Sequence, residues 1–202
     1  MKNLFYLLLI ILCSCTTLVA QDFARQTEAF RKKYREDFIK SADSPIKKED
    51  LKYLKFYEPD SAFRVTATFE RIRNSRSFEM PTYSGTQKTF VKYGTVRFRL
   101  YGRRQRLTIY RSLSLETLPQ YKDYLFLPFK DKTSGIQTYG GGRYMDLKTT
   151  DVQDGTCTLD FNKAYNPYCA YSDGFNCPIP PKENTMAIAI EAGEQNFGKK
   201  HD

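Results

Sequence analysis

Between Asp22 and Lys40 the apolar positions recur with a helical period. Phe23, Phe30, Tyr34 and Phe38 fall on one stripe, and Arg31, Lys32, Lys33, Arg35, Glu36 and Asp37 cover the rest, which predicts an amphipathic helix. Ser44-Pro45 reads as an N-cap followed by a first-turn proline, opening a short helix through Glu49, Asp50 and Leu51. From Ala62 the period changes to two. In "AFRVTATFERI" the residues Phe63, Val65, Ala67 and Phe69 alternate with Arg64, Thr66, Thr68 and Glu70. "TVRFRLY" alternates again, Gly102 to Gln105 reads as a turn, and "RLTIYR" returns, so a hairpin is expected. Further strands are expected near 124–129, 143–148, 156–161 and 185–191, with turn signals such as Asp154-Gly155 and Asp173-Gly174 between them. The sum is a mainly β (α+β) fold: an antiparallel β-barrel or sandwich with one or two N-terminal helices. No repeat or linker divides it, so residues 21–202 are read as a single β-rich domain.

The first residues, "MKNLFYLLLIILCSCTTLVAQ", read as a signal peptide over 1–20. One lysine precedes an apolar run from Leu4 to Leu12, and that run is too short to span a bilayer. Leu18-Val19-Ala20 before Gln21 suits ordinary cleavage and is the preferred reading. Leu12-Cys13-Ser14-Cys15 resembles a lipobox, which would put a lipid anchor on Cys15. Either route exports the chain to the periplasm or envelope, with no transmembrane span in the mature protein. The formal charge of +9 admits anionic partners. Nucleic acid is not expected, because no aromatic ladder accompanies the basic residues.

A single histidine, His201, stands next to last, so catalytic units and metal sites that need histidine lack their central group. No metal and no cofactor are expected. Arg97, Arg99, Arg103, Arg104, Arg106 and Arg111 crowd the hairpin. An anion-binding face competes there with an ordinary solvated strand face, and the latter is preferred. Gly140-Gly141-Gly142 forms a turn whose N–H groups could meet an anion beside Arg143, although it lacks the phosphate-loop pattern. In an exported chain Cys169 and Cys177 are expected to form a disulfide, with Cys157 as a buried thiol or a competing partner.

"PFKDKTSGIQTYGGGRYMDL", "LDFNKAYNPYCAY", "CPIPPKEN" and "IEAGE", in that order, resemble the signature of domain-of-unknown-function family 1684. The likeness runs from Ser44-Pro45 to Glu194 and is densest from Pro128. The resemblance implies membership and no established activity. It also implies relatives without export signals, which leaves the state of the cysteine pair open.

Clustered special residues in irregular backbone mark either a locked corner or a working cleft. Asp146 and Asp160, at the ends of expected strands, are the candidate catalytic pair. Tyr139, Gly141, Gly142, Arg143, Asn162, Tyr165, Asn166, Glu183 and Asn184 are candidate ligand-binding residues, with the glycine turn facing the corner from Asn162 to Asn166. Two functions of different class follow. One is a binding or accessory module for a carbohydrate or another small polar envelope component; the alternative is a histidine-free, carboxylate-dependent hydrolase. Two carboxylates within one ligand's reach, one with a raised pKa, would favour the enzyme. An aromatic groove without such a pair would favour the module.

Overall fold

The computed structural model describes residues 2–153 and 155–199, with side chains from residue 21 onward except that of Gln153. The signal-peptide and Cys15 expectations therefore rest on side chains outside the described residues, as do Asp154 of one turn signal and His201.

Helix α1 runs Lys2–Lys40. Its apolar stripe behaves as the period demands: Phe38 is buried, and Tyr34 packs with it in a cluster with Leu54, Ala170 and Tyr171. Ser44 does not open a helix. Its hydroxyl bonds locally with Ile46, and the short 3₁₀ turn begins at Lys48. Among the described residues no helix is long and apolar enough to cross a membrane.

The strands are β1 (Arg64–Arg71), β2 (Phe78–Pro81), β3 (Gln87–Leu100), β4 (Arg103–Ser112), β5 (Tyr124–Phe129), β6 (Arg143–Lys148), β7 (Val152–Gln153) and β8 (Thr156–Asp160); a single helical turn, α2 (Leu113–Glu116), follows β4. They form one antiparallel sheet in the order β6-β5-β4-β3-β1-β8-β7, with β2 paired to β3, curled into a half-barrel. Its main core takes one parity of each strand: Ala67, Val96, Phe98, Leu107, Ile109, Leu125, Leu127, Met145, Leu147, Cys157 and Leu159. At β3 the register shifts between Lys92 and Gly94. A Cβ on Gly94 would lie 2.3 Å from the Phe69 ring, so only glycine fits where the two strands press together.

Two further expectations are corrected. The hairpin turn is Tyr101-Gly102, both at positive φ (49 and 72), and not 102–105; two such residues match the right-handed twist of the flanking strands. The segment 185–191 keeps a period of two, burying Met186, Ile188 and Ile190, yet it is no strand of the sheet. Its backbone is held by other partners: Met186 N–H donates to Lys130 O, Ile190 N–H donates to Asp131 Oδ1, and Ile190 O accepts from Arg143. Alternation fixed its buried side but not its partner.

Candidate functional site

Strand β6 sets the parity of the site. Arg143, Met145 and Leu147 are buried on the core side, so Tyr144, Asp146 and Lys148 point to the opposite face. The register places Asp146 across from Phe126 and Lys148 across from Tyr124, which brings the β5 residues Tyr124 and Phe126 onto that face. The outer edge of β6 is covered by the corner after β8, where Tyr144 and Tyr165 exchange both backbone hydrogen bonds at 2.9 and 3.0 Å. Tyr165 is thereby delivered beside Asp146.

The result is a carboxylate held between two phenols. Tyr124 donates to Asp146 Oδ1 at 2.8 Å and Tyr165 donates to the same oxygen at 2.6 Å. Burial, reinforced by the Asp146 charge, pushes both hydroxyls well above the usual tyrosine range, so they remain donors. Burial also raises the Asp146 carboxyl, against the lowering effect of Tyr165 and then Tyr124. The carboxylate is nevertheless reached by solvent, because it lines an open cleft and not a sealed cavity. Oδ2 is left without a protein donor among the described residues.

That cleft has a volume of about 1220 Å³. Helix α1 supplies one wall with Phe30, Tyr34 and Phe38, and the sheet supplies Phe90, Tyr124, Phe126 and Tyr144. Tyr165, Tyr168 and Phe175 come from the loop that follows β8. Aromatic contacts join the helix to the loop, Tyr34 to Tyr165 at 6.0 Å and Phe38 to Tyr168 at 5.8 Å, and Phe126 packs on Tyr144 at 4.7 Å within the sheet. Lys88, half-buried on β3, lines the cleft without an acidic partner among the described residues, and burial lowers its pKa.

Of the residues marked by sequence, the cleft gathers Asp146, Asp160 and Tyr165. Asp160 is tied down: its Oδ1 accepts from Asn162 N at 3.2 Å and Asn162 Nδ2 at 3.0 Å, and its side chain is only 10% exposed. The remaining candidates lie elsewhere, and the asparagines among them serve the backbone. Buried Asn162 clasps Asp60, accepting from its N–H at 2.9 Å and donating to its carbonyl at 2.8 Å. Buried Asn184 does the same to Thr108 and also donates to Pro128 O at 2.7 Å. Asn166 gives its N–H to Glu194 Oε2 at 2.9 Å and its amide to Gln195 O at 2.8 Å. Glu183 meets Lys92 at 2.6 Å and Tyr110 at 3.0 Å, on another part of the sheet. Tyr139 packs on Tyr83 at 6.1 Å, closing over Gly141. Gly142, at φ +92, is pressed against Phe129 O. Arg143 is fully buried, donating to Asp131 Oδ2 at 2.9 Å and to the carbonyls of Ile190, Ala192 and Glu194. The glycine turn and the Asn162–Asn166 corner therefore do not face each other across the cleft.

Sequence reading missed Tyr124, whose position on the Asp146 face follows from strand parity, and Tyr34 and Lys88. Nothing in the motif "IEAGE" marks a role for Glu194. Glu194 is fully buried and receives Tyr171 OH at 2.7 Å and Tyr34 OH at 3.0 Å, so it fastens the helical wall of the cleft to the barrel.

Cys169 and Cys177 form a disulfide with Cα atoms 6.2 Å apart, and Cys177 lies on the cleft rim. Cys157 is a buried free thiol whose pKa burial pushes up to about 11, so it stays protonated and inert. Reducing the bridge is expected to lower stability by about 2–3 kcal/mol in the chain-entropy picture. Urea unfolding with and without reductant checks this, and unreduced peptide mapping should recover one cross-linked pair. Among the described residues no group of three or more His, Cys, Asp or Glu is placed to hold a metal ion.

No curated protein matches the chain. A solved structure does: the solution NMR structure of an uncharacterized protein of Haloarcula marismortui is 36% identical, covers 87% of this chain and 95% of its own, and superposes with a TM-score of 0.67. The half-barrel is thus shared with an archaeal relative. The family model described as "Protein of unknown function (DUF1684)" matches residues 49–195, which takes in every strand together with Asp146 and Asp160 of the cleft, and the chain belongs to that family.

Proposed function

We propose that this protein is an exported envelope protein whose cleft binds a small, hydroxyl-bearing ligand with an apolar face, of the carbohydrate type. The observation that carries this reading is Asp146 held by Tyr124 and Tyr165 on the floor of an aromatic-walled cleft. Aromatic walls favour a ligand with a flat apolar face, and a few fixed polar groups set its orientation. The two phenols occupy Oδ1 and leave Oδ2 to accept a ligand hydroxyl. The export signal read in the first 20 residues supports an envelope ligand.

A thermal-shift screen of mono- and oligosaccharides against the protein tests the reading. At least one sugar should raise the melting temperature of the wild type. Asp146→Asn should keep its fold, since the amide oxygen still accepts from both tyrosines. It should weaken binding by about 1.5–3 kcal/mol, the worth of a hydrogen bond to a charged group, which is roughly ten- to a hundredfold. A screen in which no sugar stabilises the wild type would reject the ligand class.

The hydrolase reading is favoured by one observation: Asp160 lines the same cleft as Asp146, whose carboxyl is raised. The bonds from Asn162 to Asp160 weigh against it, because they spend that carboxylate on the local turn. Breakdown of a bound sugar that Asp160→Asn abolishes would decide for the enzyme.

A further inference from the structure

The register of the β3–β4 hairpin sets arginine against arginine. Arg97 lies opposite Arg106 and Arg99 opposite Arg104, all four exposed on the face away from the core residues Val96, Phe98 and Leu107. Like charges directly across a strand pair oppose folding. An ordinary solvated face relieves such pairs with alternating acids, yet this one has little relief. Glu70 reaches Arg97 at 2.7 Å, and Glu183 lies within electrostatic range of Arg106. Arg99 turns to its own loop carbonyl, Gly102 O, at 3.1 Å, and Arg104 has no acidic partner among the described residues. On the neighbouring strands the same face continues in threonines: Thr68 beside Arg97, then Thr156. At the tip Tyr101 stands 63% exposed, held edge-on by Phe63 at 5.6 Å.

We infer that this hairpin tip docks on an anionic phospholipid surface. Asp60 and Glu191 lie within electrostatic range of Tyr101, but Arg99 and Arg104 pair with no acid among the described residues; a guanidinium matches a phosphate oxygen pair bidentately, so lipid phosphates would supply the counter-charges of these two. A protruding tyrosine beside such cations suits the headgroup layer, with its ring apolar and its hydroxyl wet. A single exposed ring gives no stacking ladder for bases, and an open sheet face gives no groove to enclose a polysaccharide. The cleft reaches the same face on the neighbouring strands through Arg64, Thr158 and Asp160, but on the hairpin itself it touches only the far end, at Lys88, Phe90 and Ser112, and the inference needs no ligand in the cleft.

The test is sedimentation of the full chain with vesicles of phosphatidylcholine or of phosphatidylglycerol. The readout is the ratio of binding to the two, which cancels the contribution of the N-terminal apolar run. The wild type should prefer phosphatidylglycerol, less so as salt rises. Arg99→Gln with Arg104→Gln should lower that preference about 30-fold, from roughly a fivefold loss for each basic residue near the surface. The same pair should not lower the melting temperature, because it removes a repulsion. Arg73→Gln with Arg76→Gln carries the same charge change on residues outside this face and should keep the preference. The inference is overturned by a wild type indifferent to lipid charge, by an equal loss in the control pair, or by retention on heparin without vesicle binding.

Discussion

Arg143→Met is expected to lower the unfolding free energy by about 3–5 kcal/mol, the largest effect of any single change considered. Arg143 and Asp131 are both wholly shielded from solvent and meet at 2.9 Å. Removing the cation leaves Asp131 as a buried carboxylate with only the donors of Thr133 and Ile190. It also strips the carbonyls of Ile190, Ala192 and Glu194 of their donor, and buried acceptors without partners are costly. The segment 185–194 would then lose the group that stands in for a neighbouring strand. Urea unfolding measures the effect. Adding Asp131→Leu to Arg143→Met should recover part of the loss, because an apolar pair tolerates burial better than one stranded charge. A variant of near wild-type stability would mean that apolar packing alone holds the segment.

The second large effect is a pH dependence centred on Glu194. Burial raises its carboxyl to about 7, against the lowering influence of Asn166, Tyr171 and Tyr34. In the unfolded chain a glutamate titrates near the ordinary value of about 4.3. The folded state therefore binds the proton more tightly. Its contribution is fully present below the unfolded value and is lost as pH rises toward about 7, where the charged form must be kept buried. Near pH 8 the penalty is on the order of 3 kcal/mol. Glu194→Gln should flatten that loss between roughly pH 4.5 and 7. Unfolding curves of both proteins across that range check the sign: if the wild type gains stability relative to Glu194→Gln as pH rises, the carboxylate is stabilised by its donors and not strained by burial.

The barrel strands could be read from alternation because burial on one face imposes a period of two whatever the neighbour. Alternation in "TVRFRLY" and "RLTIYR", with the turn signal between them, predicts the hairpin. The same logic misread 185–191: Met186, Ile188 and Ile190 face the core with strand-like spacing, but the backbone partners are Lys130, Asp131 and Arg143, distant in sequence. The site was harder. Asparagine that clasps backbone and aspartate that faces a cleft have the same polar signature, so Asn162, Asn184 and Asp146 could not be told apart by residue type. Parity held part of the answer, since Arg143 and Asp146 lie an odd number of residues apart on one strand and cannot share a face. Which strand and which corner lie beside Asp146 depends on sheet order, and that is set by contacts no local pattern encodes.

Under the proposed function Asp146 serves the cleft, while Asn162 serves the fold. The most direct measurement is a sugar-binding titration of Asp146→Asn and Asn162→Ala, each normalised to its folded fraction by urea unfolding. Asp146→Asn should unfold within about 1 kcal/mol of the wild type, because both tyrosine bonds survive, and should lose at least tenfold in affinity. Asn162→Ala should lose about 1–3 kcal/mol of stability through the orphaned groups of Asp60, while its folded fraction binds as the wild type does. The opposite pattern, with Asp146→Asn strongly destabilised and its folded molecules binding normally, would contradict the account and make Asp146 a second backbone lock.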